Sequence, residues 1–215
     1  MVQLADDRLM RAKTGARRDD PVPALRRALC ESIAGFPMLD ALLTSVDAKD
    51  RYTRRHSEDV LSYSLAIARA LGLDASAQQD IQVAALLHDV GKIGVPDHIL
   101  RKPSPLTEGE FETIKQHPRM GVVIVAAVPG LEATLAAIGH HHERWDGGGY
   151  PDGLAGEAIP LFARLMAVAD AYSAMTTDRP YRKGMAPAEA RSILRDGAGS
   201  QWDPVCVAAF LGAQS

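Results

Sequence analysis

The sequence predicts an all-α fold. Apolar residues recur at helical spacing from about Pro23 onward, and no segment alternates apolar and polar residues as a half-buried strand would. Prolines, glycines and capping residues divide this periodic sequence into segments of ordinary helix length. We therefore expect a compact bundle of several helices without a β-sheet.

Three apolar stripes mark the helices of the N-terminal half. The clearest belongs to a helix over Thr53–Leu71, which Gly72 ends because glycine readily adopts the left-handed conformation of a helix C-terminus. A short apolar helix follows from Asp80 to about Val90. A weaker stripe precedes both, at Leu25, Leu29 and Ile33.

Helix starts in the C-terminal half coincide with capping residues and prolines. Thr107 and Glu110 have the spacing of a capping box, in which each side chain bonds to the other residue's backbone N–H. Pro118 interrupts that helix and suits the first turn of the next. Further helices are marked by the stripe Leu131, Leu135 and Ile138, by Pro160 with an end near Thr176, and by Pro187 and Pro204. Two stretches remain irregular, Gly91–Leu106 and Trp145–Ile159.

The composition is that of an ordinary globular protein and argues against several classes. The chain has 215 residues, 47% hydrophobic and 24% charged, with a net charge of −3, so we do not expect a DNA or RNA binder. No apolar run approaches the roughly 20 residues of a membrane span. Cys30 and Cys206 belong to no cysteine motif, and the charged start, Met1–Lys13, does not match a signal peptide. These features favour a cytoplasmic protein.

The N-terminal segment differs in charge from the rest of the chain. Residues 1–28 hold seven basic and four acidic residues, a net charge of +3, so the remainder carries −6 of the total of −3. We expect residues 1–36 to be a leader or linker, partly helical or disordered, and residues 37–215 to be the main domain. The alternative is that the basic segment is the end of a connector from a sensory domain.

Polar residues interrupt the apolar faces of the predicted helices. His56 lies four residues before Val60 on the same face, and Asp170 lies among alanines and Met166 at helical spacing. Any one such histidine would more often be a hydrogen-bonded core residue, and a lone aspartate could cap a helix. The set as a whole contains five histidines and two aspartates: His56, His88, Asp89, His117, His141, His142 and Asp170.

Divalent metal would explain this whole set. A buried carboxylate without a partner costs several kcal/mol, and Asp170 has no basic residue three or four positions away. Seven ligands exceed the needs of one tetrahedral zinc but suit two ions that share one carboxylate, with a hydroxide between them attacking phosphorus. Histidine and carboxylate ligation without thiolate favours iron, manganese, nickel or zinc over copper(I). Among divalent ions we expect iron or manganese, with nickel, zinc or magnesium as further options. A phosphodiester is the natural substrate of that geometry.

Two motifs carry a family resemblance. Residues 88–97, HDVGKIGVPD, resemble the core of the HD phosphohydrolase superfamily. Residues 141–151, HHERWDGGGYP, resemble the signature of its HD-GYP branch, and the combination at this spacing is highly specific. The similarity extends from about residue 50 to residue 210, with supporting stretches around His56, His117 and Asp178–Arg182.

The resemblance implies an activity and two metal sites. HD-GYP domains are bacterial phosphodiesterases that degrade the second messenger cyclic di-GMP to linear pGpG or onward to GMP. In some members a glutamate four residues before the first histidine helps to hold a third ion; Tyr52 stands there, which favours two ions. The implied ligands of the first ion are His56, His88, Asp89 and Asp170. Those of the second are His117, His141, His142 and the shared Asp89.

The resemblance also assigns residues to the substrate. Lys92 follows Asp89 by three residues, and its ammonium would stabilise charge on the scissile phosphate; a solvated lysine at a helix C-terminus is the alternative. His98 and His140 match no ligand position and are left out of the predicted site. Contacts to the nucleotide are implied for Asp50, Tyr150, Arg179 and Arg182.

Two departures from the family pattern affect the predicted substrate preference or rate. Ser173 stands three residues after Asp170, where the family commonly has an aspartate. Arg182 stands where a lysine is more usual in some members. Neither residue is a predicted ligand, so we expect metal binding to persist.

Three functional hypotheses follow. The first is a cyclic di-GMP phosphodiesterase. The second is an HD hydrolase of another cyclic dinucleotide, such as a mixed purine one. The third is a weakly active HD-GYP module that signals by contact with diguanylate cyclases or adaptor proteins, although a degenerate copy would be expected to lose some ligands.

Overall fold

The computed structural model describes residues 21–49, 53–178 and 183–213. Within these ranges the regular structure is helical, and the one β pairing is an isolated bridge between Ala198 and Trp202. Two short 3-10 helices, Val90–Gly94 and Gly156–Ala158, lie in the stretches predicted to be irregular. The α-helices are α1 (Pro21–Ser32), α2 (Phe36–Lys49), α3 (Thr53–Ala70), α4 (Ala75–Leu87), α5 (Asp97–Leu100), α6 (Glu108–Ile114), α7 (His117–Val125), α8 (Glu132–His140), α9 (Leu161–Thr176), α10 (Pro187–Asp196) and α11 (Pro204–Ala213).

Helix α3 lies at the centre of the bundle. It packs against α4, α9 and α11, and its Val60 and Ile67 are fully buried. Helix α8 packs against α4, α7 and α9. The helices α3, α4, α8 and α9 therefore pack around a common apolar core.

Three helices differ from the sequence-based expectation, and one of them is the short α5 (Asp97–Leu100), which lies within the stretch predicted to be irregular. Helix α4 begins at Ala75, five residues before the predicted start, because the Asp74 side chain accepts a hydrogen bond from the Ala77 backbone N–H and caps the helix there. It ends at Leu87, so Asp89 lies beyond the helix and not within it. Helix α2 was not predicted, although its buried residues have helical spacing: Phe36, Leu39, Leu43 and Val46.

The predicted helix starts of the C-terminal half are confirmed. In the capping box, the Thr107 backbone N–H donates to Glu110 Oε2 at 2.7 Å, and the Glu110 N–H donates to Thr107 Oγ1 at 3.3 Å. Pro118 lies in the first turn of α7. Pro160 immediately precedes α9, and α10 and α11 begin at Pro187 and Pro204.

Helix α1 belongs to the packed structure. Its Leu29 is buried in the same core as α3, and Arg26 forms an ion pair with Asp40 of α2. The proposed boundary between leader and domain, residues 36 and 37, falls at the first residue of α2. Of the helices in the described ranges, none has the length and apolar character needed to cross a membrane.

Candidate metal centre

The structure brings six of the seven predicted ligands into two groups of three. Within each group the candidate ligand atoms lie within 4.8 Å of one another, and the searched residues are those that the structure describes. One group comprises His56, His88 and Asp170; the other comprises His117, His141 and His142. This division matches the two ligand sets that the family resemblance implies.

Helix ends position most of these side chains. His56 lies in the first turn of α3 and His117 at the start of α7, whereas His88 immediately follows α4. Asp170 projects from the middle of α9. The 3-10 helix Val90–Gly94 packs closely on α7 because Gly91 has no side chain. A Cβ at this position would overlap the backbone of His117. That close contact brings the two halves of the site together.

Asp89, the seventh predicted ligand, lies between the two groups. Its Oδ2 is 3.4 Å from His88 Nε2, and its Oδ1 is 3.4 Å from His117 Nε2. The carboxylate thus presents one oxygen to each group. This is the arrangement that a carboxylate bridging two cations requires.

Hydrogen bonds at Nδ1 orient the histidine rings. His88, His117 and His141 each bond through Nδ1 to the backbone carbonyl three residues earlier, at 2.7–2.8 Å. A carbonyl only accepts, so Nδ1 carries the proton in each of these rings. In the neutral ring the lone pair is then on Nε2, the atom that faces the neighbouring ligands.

The second group fits a metal ion by its own chemistry. His117 Nε2 and His141 Nε2 lie 3.4 Å apart. Because both rings carry their proton on Nδ1, two lone pairs face each other, and a cation between them removes that repulsion. Burial lowers the pKa of His117 to about 4 and also lowers the pKa of His141 and His142, so all three rings are neutral near pH 7.

The first group carries more negative charge than the second, because it includes the Asp170 carboxylate. Burial opposes ionisation of Asp170, but the hydrogen bond and charge of His56 hold its pKa well below the usual value. The two side chains meet at 3.0 Å between His56 Nε2 and Asp170 Oδ1. Asp89 behaves similarly, since Lys92 and His88 outweigh the effect of burial and lower its pKa. Burial would lower the pKa of His88, but the Asp89 carboxylate beside it raises that pKa.

Two carboxylates and five imidazoles therefore converge on one side of the bundle. Carboxylate oxygen and imidazole nitrogen together suit iron, manganese, nickel or zinc, and the set includes no thiolate. The residues present fit divalent cations, and the two groups with Asp89 between them fit two such cations.

The glycine-rich loop covers one side of the histidines. The Tyr150 ring stacks on the His142 ring, with centroids 4.9 Å apart and planes 29° from parallel. Gly149 permits this approach, because a Cβ there would overlap the backbone of Glu143 and Arg144. Burial and the nearby carboxylates raise the pKa of Tyr150, so its phenol keeps its proton.

Glu143 is a site residue to which the sequence analysis gave no role. It is buried, and its two carboxylate oxygens accept from the backbone N–H groups of Asp152 and Leu154 at 2.7 and 3.1 Å. These bonds attach the loop after Tyr150 to the residue after His142. Its place directly after two predicted ligands was the available sequence signal.

Ser173 is a second residue whose contact the sequence did not predict. It is fully buried, and its Oγ lies 2.8 Å from His56 Nδ1. Ser173 follows Asp170 by one helical turn, so both side chains reach the same histidine. That i, i+3 spacing was the signal available in the sequence.

The remaining predicted residues have separate positions. Lys92 lies beside the centre, with its Nζ 2.7 Å from Asp89 Oδ2. His98 is exposed on α5, and His140 pairs with Asp152 at 3.1 Å; both lie outside the two ligand groups. Four other residues singled out from the sequence lie outside the described residues: Asp50, Tyr52, Arg179 and Arg182.

Comparison with protein families identifies the fold. A family model described as HD domain matches residues 38–206. The chain belongs to the HD domain family. The predicted membership of the HD phosphohydrolase superfamily is thereby confirmed, the relatives described next support its HD-GYP branch, and the helical structure described above confirms the all-α fold class.

Related HD proteins cover most of this chain but extend well beyond it. The cyclic di-GMP phosphodiesterase PA4108 of Pseudomonas aeruginosa is 44% identical, with 81% of this chain and 42% of that protein aligned. The cyclic di-GMP phosphodiesterase response regulator RpfG of Xanthomonas campestris is 40% identical, with 80% and 46% aligned. The chain thus spans less than half of the length of these relatives.

A solved structure supports the HD fold independently. A cyclic GMP-AMP specific phosphodiesterase of Vibrio cholerae superposes with a TM-score of 0.61 at 18% identity, covering 81% of this chain and 47% of that one. At this identity the similarity concerns the arrangement of the helices.

Proposed function

We propose that this chain is a metal-dependent phosphodiesterase that hydrolyses cyclic di-GMP to linear pGpG, onward to GMP, or both. The observation that carries the proposal is the Asp89 carboxylate between the two ligand groups, with one oxygen 3.4 Å from His88 and the other 3.4 Å from His117. Phosphodiester hydrolysis is the chemistry to which a bridged pair of divalent cations is best suited.

Two divalent cations would occupy the centre, with iron or manganese favoured over nickel, zinc or magnesium. His56, His88 and Asp170 would hold one, and His117, His141 and His142 the other, with Asp89 shared. When bound, the ions would supply an activated water and neutralise the charge of the phosphate.

Protein side chains would bind and orient the substrate. The Lys92 ammonium, 2.7 Å from Asp89, is placed to donate to a non-bridging oxygen of the scissile phosphate. The exposed part of the Tyr150 ring would contact the nucleotide beside His142. The family resemblance adds Asp50, Arg179 and Arg182 to this set.

Cyclic di-GMP is preferred as substrate because relatives that are 40% and 44% identical carry that activity in their names. A mixed cyclic dinucleotide is the alternative, since Vibrio cholerae proteins named 3'3'-cGAMP-specific phosphodiesterases are 34–39% identical to this chain, slightly below the two relatives named for cyclic di-GMP. A module that acts only by protein contact is also disfavoured, because the ligand groups are complete.

The test is turnover of cyclic di-GMP by the purified chain loaded with manganese or iron, followed by chromatography of the products. Asp89→Asn should lower turnover at least about a hundredfold and should retain less metal, because the shared ligand loses its charge. Asp196→Asn is the matched control, since Asp196 is exposed at the end of α10.

Three outcomes separate the hypotheses. Absence of linear product from the wild-type chain, with the same result for Asp89→Asn, would refute the phosphodiesterase. Faster turnover of cyclic GMP-AMP in direct competition would favour the mixed substrate. Association with a diguanylate cyclase without turnover would favour the contact module.

A further inference from the structure

An exposed aromatic residue lies at the edge of the candidate metal centre. Phe111, on α6, is 43% exposed. Its ring centroid lies 6.3 Å from that of Tyr150, and the two rings meet edge to face. Tyr150 in turn stacks on His142. Phe111 is thus connected to the candidate ligands through one intervening ring.

A lysine ammonium lies close to the rings of both Phe111 and Tyr150. Lys115 Nζ is 4.9 Å from the centroid of Phe111 and 5.8 Å from that of Tyr150, both within the range of a cation–π contact. It also pairs with Glu112 at 2.6 Å, but the Glu112 side chain is 55% exposed, and ion pairs at the surface are weak. Positive charge is therefore held beside exposed aromatic surface.

The substrate needs more than the metal centre can offer. A cyclic dinucleotide has two phosphodiesters and two purine bases, and only one phosphodiester can lie at the reacting position. The second phosphodiester needs a cation or hydrogen-bond donors, and a base is held well by stacking on an aromatic ring. Lys92 lies beside Asp89 at the metal centre and is assigned to the reacting phosphodiester, so the second one needs another cation.

We propose that Phe111, Lys115 and Tyr150 form a subsite for the non-reacting half of the cyclic dinucleotide. Lys115 would bind the second phosphodiester, and the exposed face of Phe111 would stack on a purine base. This proposal rests on the proposed function and assigns to it two residues, Phe111 and Lys115, that neither family motif contains.

Two substrates test the subsite. Cyclic di-GMP would contact it, whereas bis(p-nitrophenyl) phosphate has one phosphodiester, no purine and no second phosphate. For Phe111→Ala we expect a roughly tenfold higher KM for cyclic di-GMP, from the usual strength of base stacking. For Lys115→Ala we expect a several-fold increase that shrinks as salt is added. Both variants should hydrolyse bis(p-nitrophenyl) phosphate within about twofold of wild type.

Matched variants separate contact from general damage. Phe111→Tyr and Lys115→Arg should restore most of the affinity for cyclic di-GMP, because each keeps the ring or the charge. Val205→Ala removes an exposed apolar side chain of α11, which packs on α3, α9 and α10, and should leave the KM for both substrates unchanged.

The subsite is overturned if Phe111→Ala and Lys115→Ala leave the KM for cyclic di-GMP unchanged, or if they impair both substrates equally. If wild type hydrolyses only bis(p-nitrophenyl) phosphate, the proposed function fails, and calorimetric binding of cyclic di-GMP decides the subsite. Binding that both variants weaken supports it; binding that neither weakens, or no binding at all, overturns it.

Discussion

The histidines of the candidate centre differ in the hydrogen-bond partner of their Nδ1 atom. Three of them bond to backbone carbonyls, which no side-chain substitution removes, whereas His56 bonds to the hydroxyl of Ser173. For His56 Nε2 to bind a cation, Nδ1 must carry the proton and donate it to Oγ. The orientation of the His56 ring therefore depends on a single side chain, that of Ser173.

Ser173→Ala should selectively weaken binding of the cation proposed for the group of His56, His88 and Asp170. Loss of a hydrogen-bond partner behind a metal ligand typically costs about 10- to 100-fold in metal affinity. We expect about one ion per chain to be lost on dialysis against dilute chelator, measured by inductively coupled plasma mass spectrometry, and Ser173→Thr to restore it. Ser45→Ala, which removes an exposed hydroxyl of α2, is the control. Equal retention of both ions by Ser173→Ala would show that the hydroxyl does not position His56.

At the scale of the elements, local signals in the sequence placed the helix starts of the C-terminal half. Thr107, Pro118 and Pro160 act through their own backbone and immediate neighbours, so their effects are visible in the sequence. The end of α4 at Leu87 depends instead on how the next turn packs. Gly91 lies against the His117 backbone, and that contact joins residues 26 positions apart.

The capping box gives a pH prediction for α6. Hydrogen bonds from Lys102 and from the Thr107 backbone lower the pKa of Glu110 from 4.5 to about 2. A carboxyl whose pKa is lower in the folded state contributes stability above about pH 4.5 and loses it as the pH falls toward 2. Glu110→Gln should therefore lower the melting temperature at pH 7, with a difference that shrinks between pH 4.5 and 3.

Thermal unfolding of both proteins across that pH range provides the measurement. Glu108→Gln is the matched control, because Glu108 lies two residues earlier in the same first turn and is exposed. A wild-type advantage that stayed constant down to pH 3 would mean that the ionised Glu110 carboxylate does not cap α6.

At the scale of the whole molecule, the centre joins segments that are far apart in the sequence. The candidate ligands come from α3, α7, α9 and the turns after α4 and α8, and those helices pack around the common core. Metal bound at their meeting point would hold the folded chain and not the unfolded one, so it should stabilise the fold.

Removal of metal should therefore lower the melting temperature. With free metal about a hundredfold above its dissociation constant, each bound ion contributes about 2.7 kcal/mol. For a chain of this length, that corresponds to a loss of roughly 5–10 °C per ion when chelator is added, measured by differential scanning fluorimetry. Asp89→Asn should show a smaller response. A melting temperature that does not depend on chelator would contradict a metal centre joining these helices.

The sequence by itself determined the helical class, most helix starts, the identity of the candidate ligands and the family. These depend on residue type and short spacings, such as the HD pair at 88–89 and the two histidines at 141–142. Only the tertiary structure decided the position of Asp89 between the two groups and the hydrogen bond between His56 and Ser173. It also decided the loop contacts of Glu143 and the contact between the Phe111 and Tyr150 rings. Each of these joins segments through packing, and periodicity within one segment carries no information about which atoms of another segment it will meet.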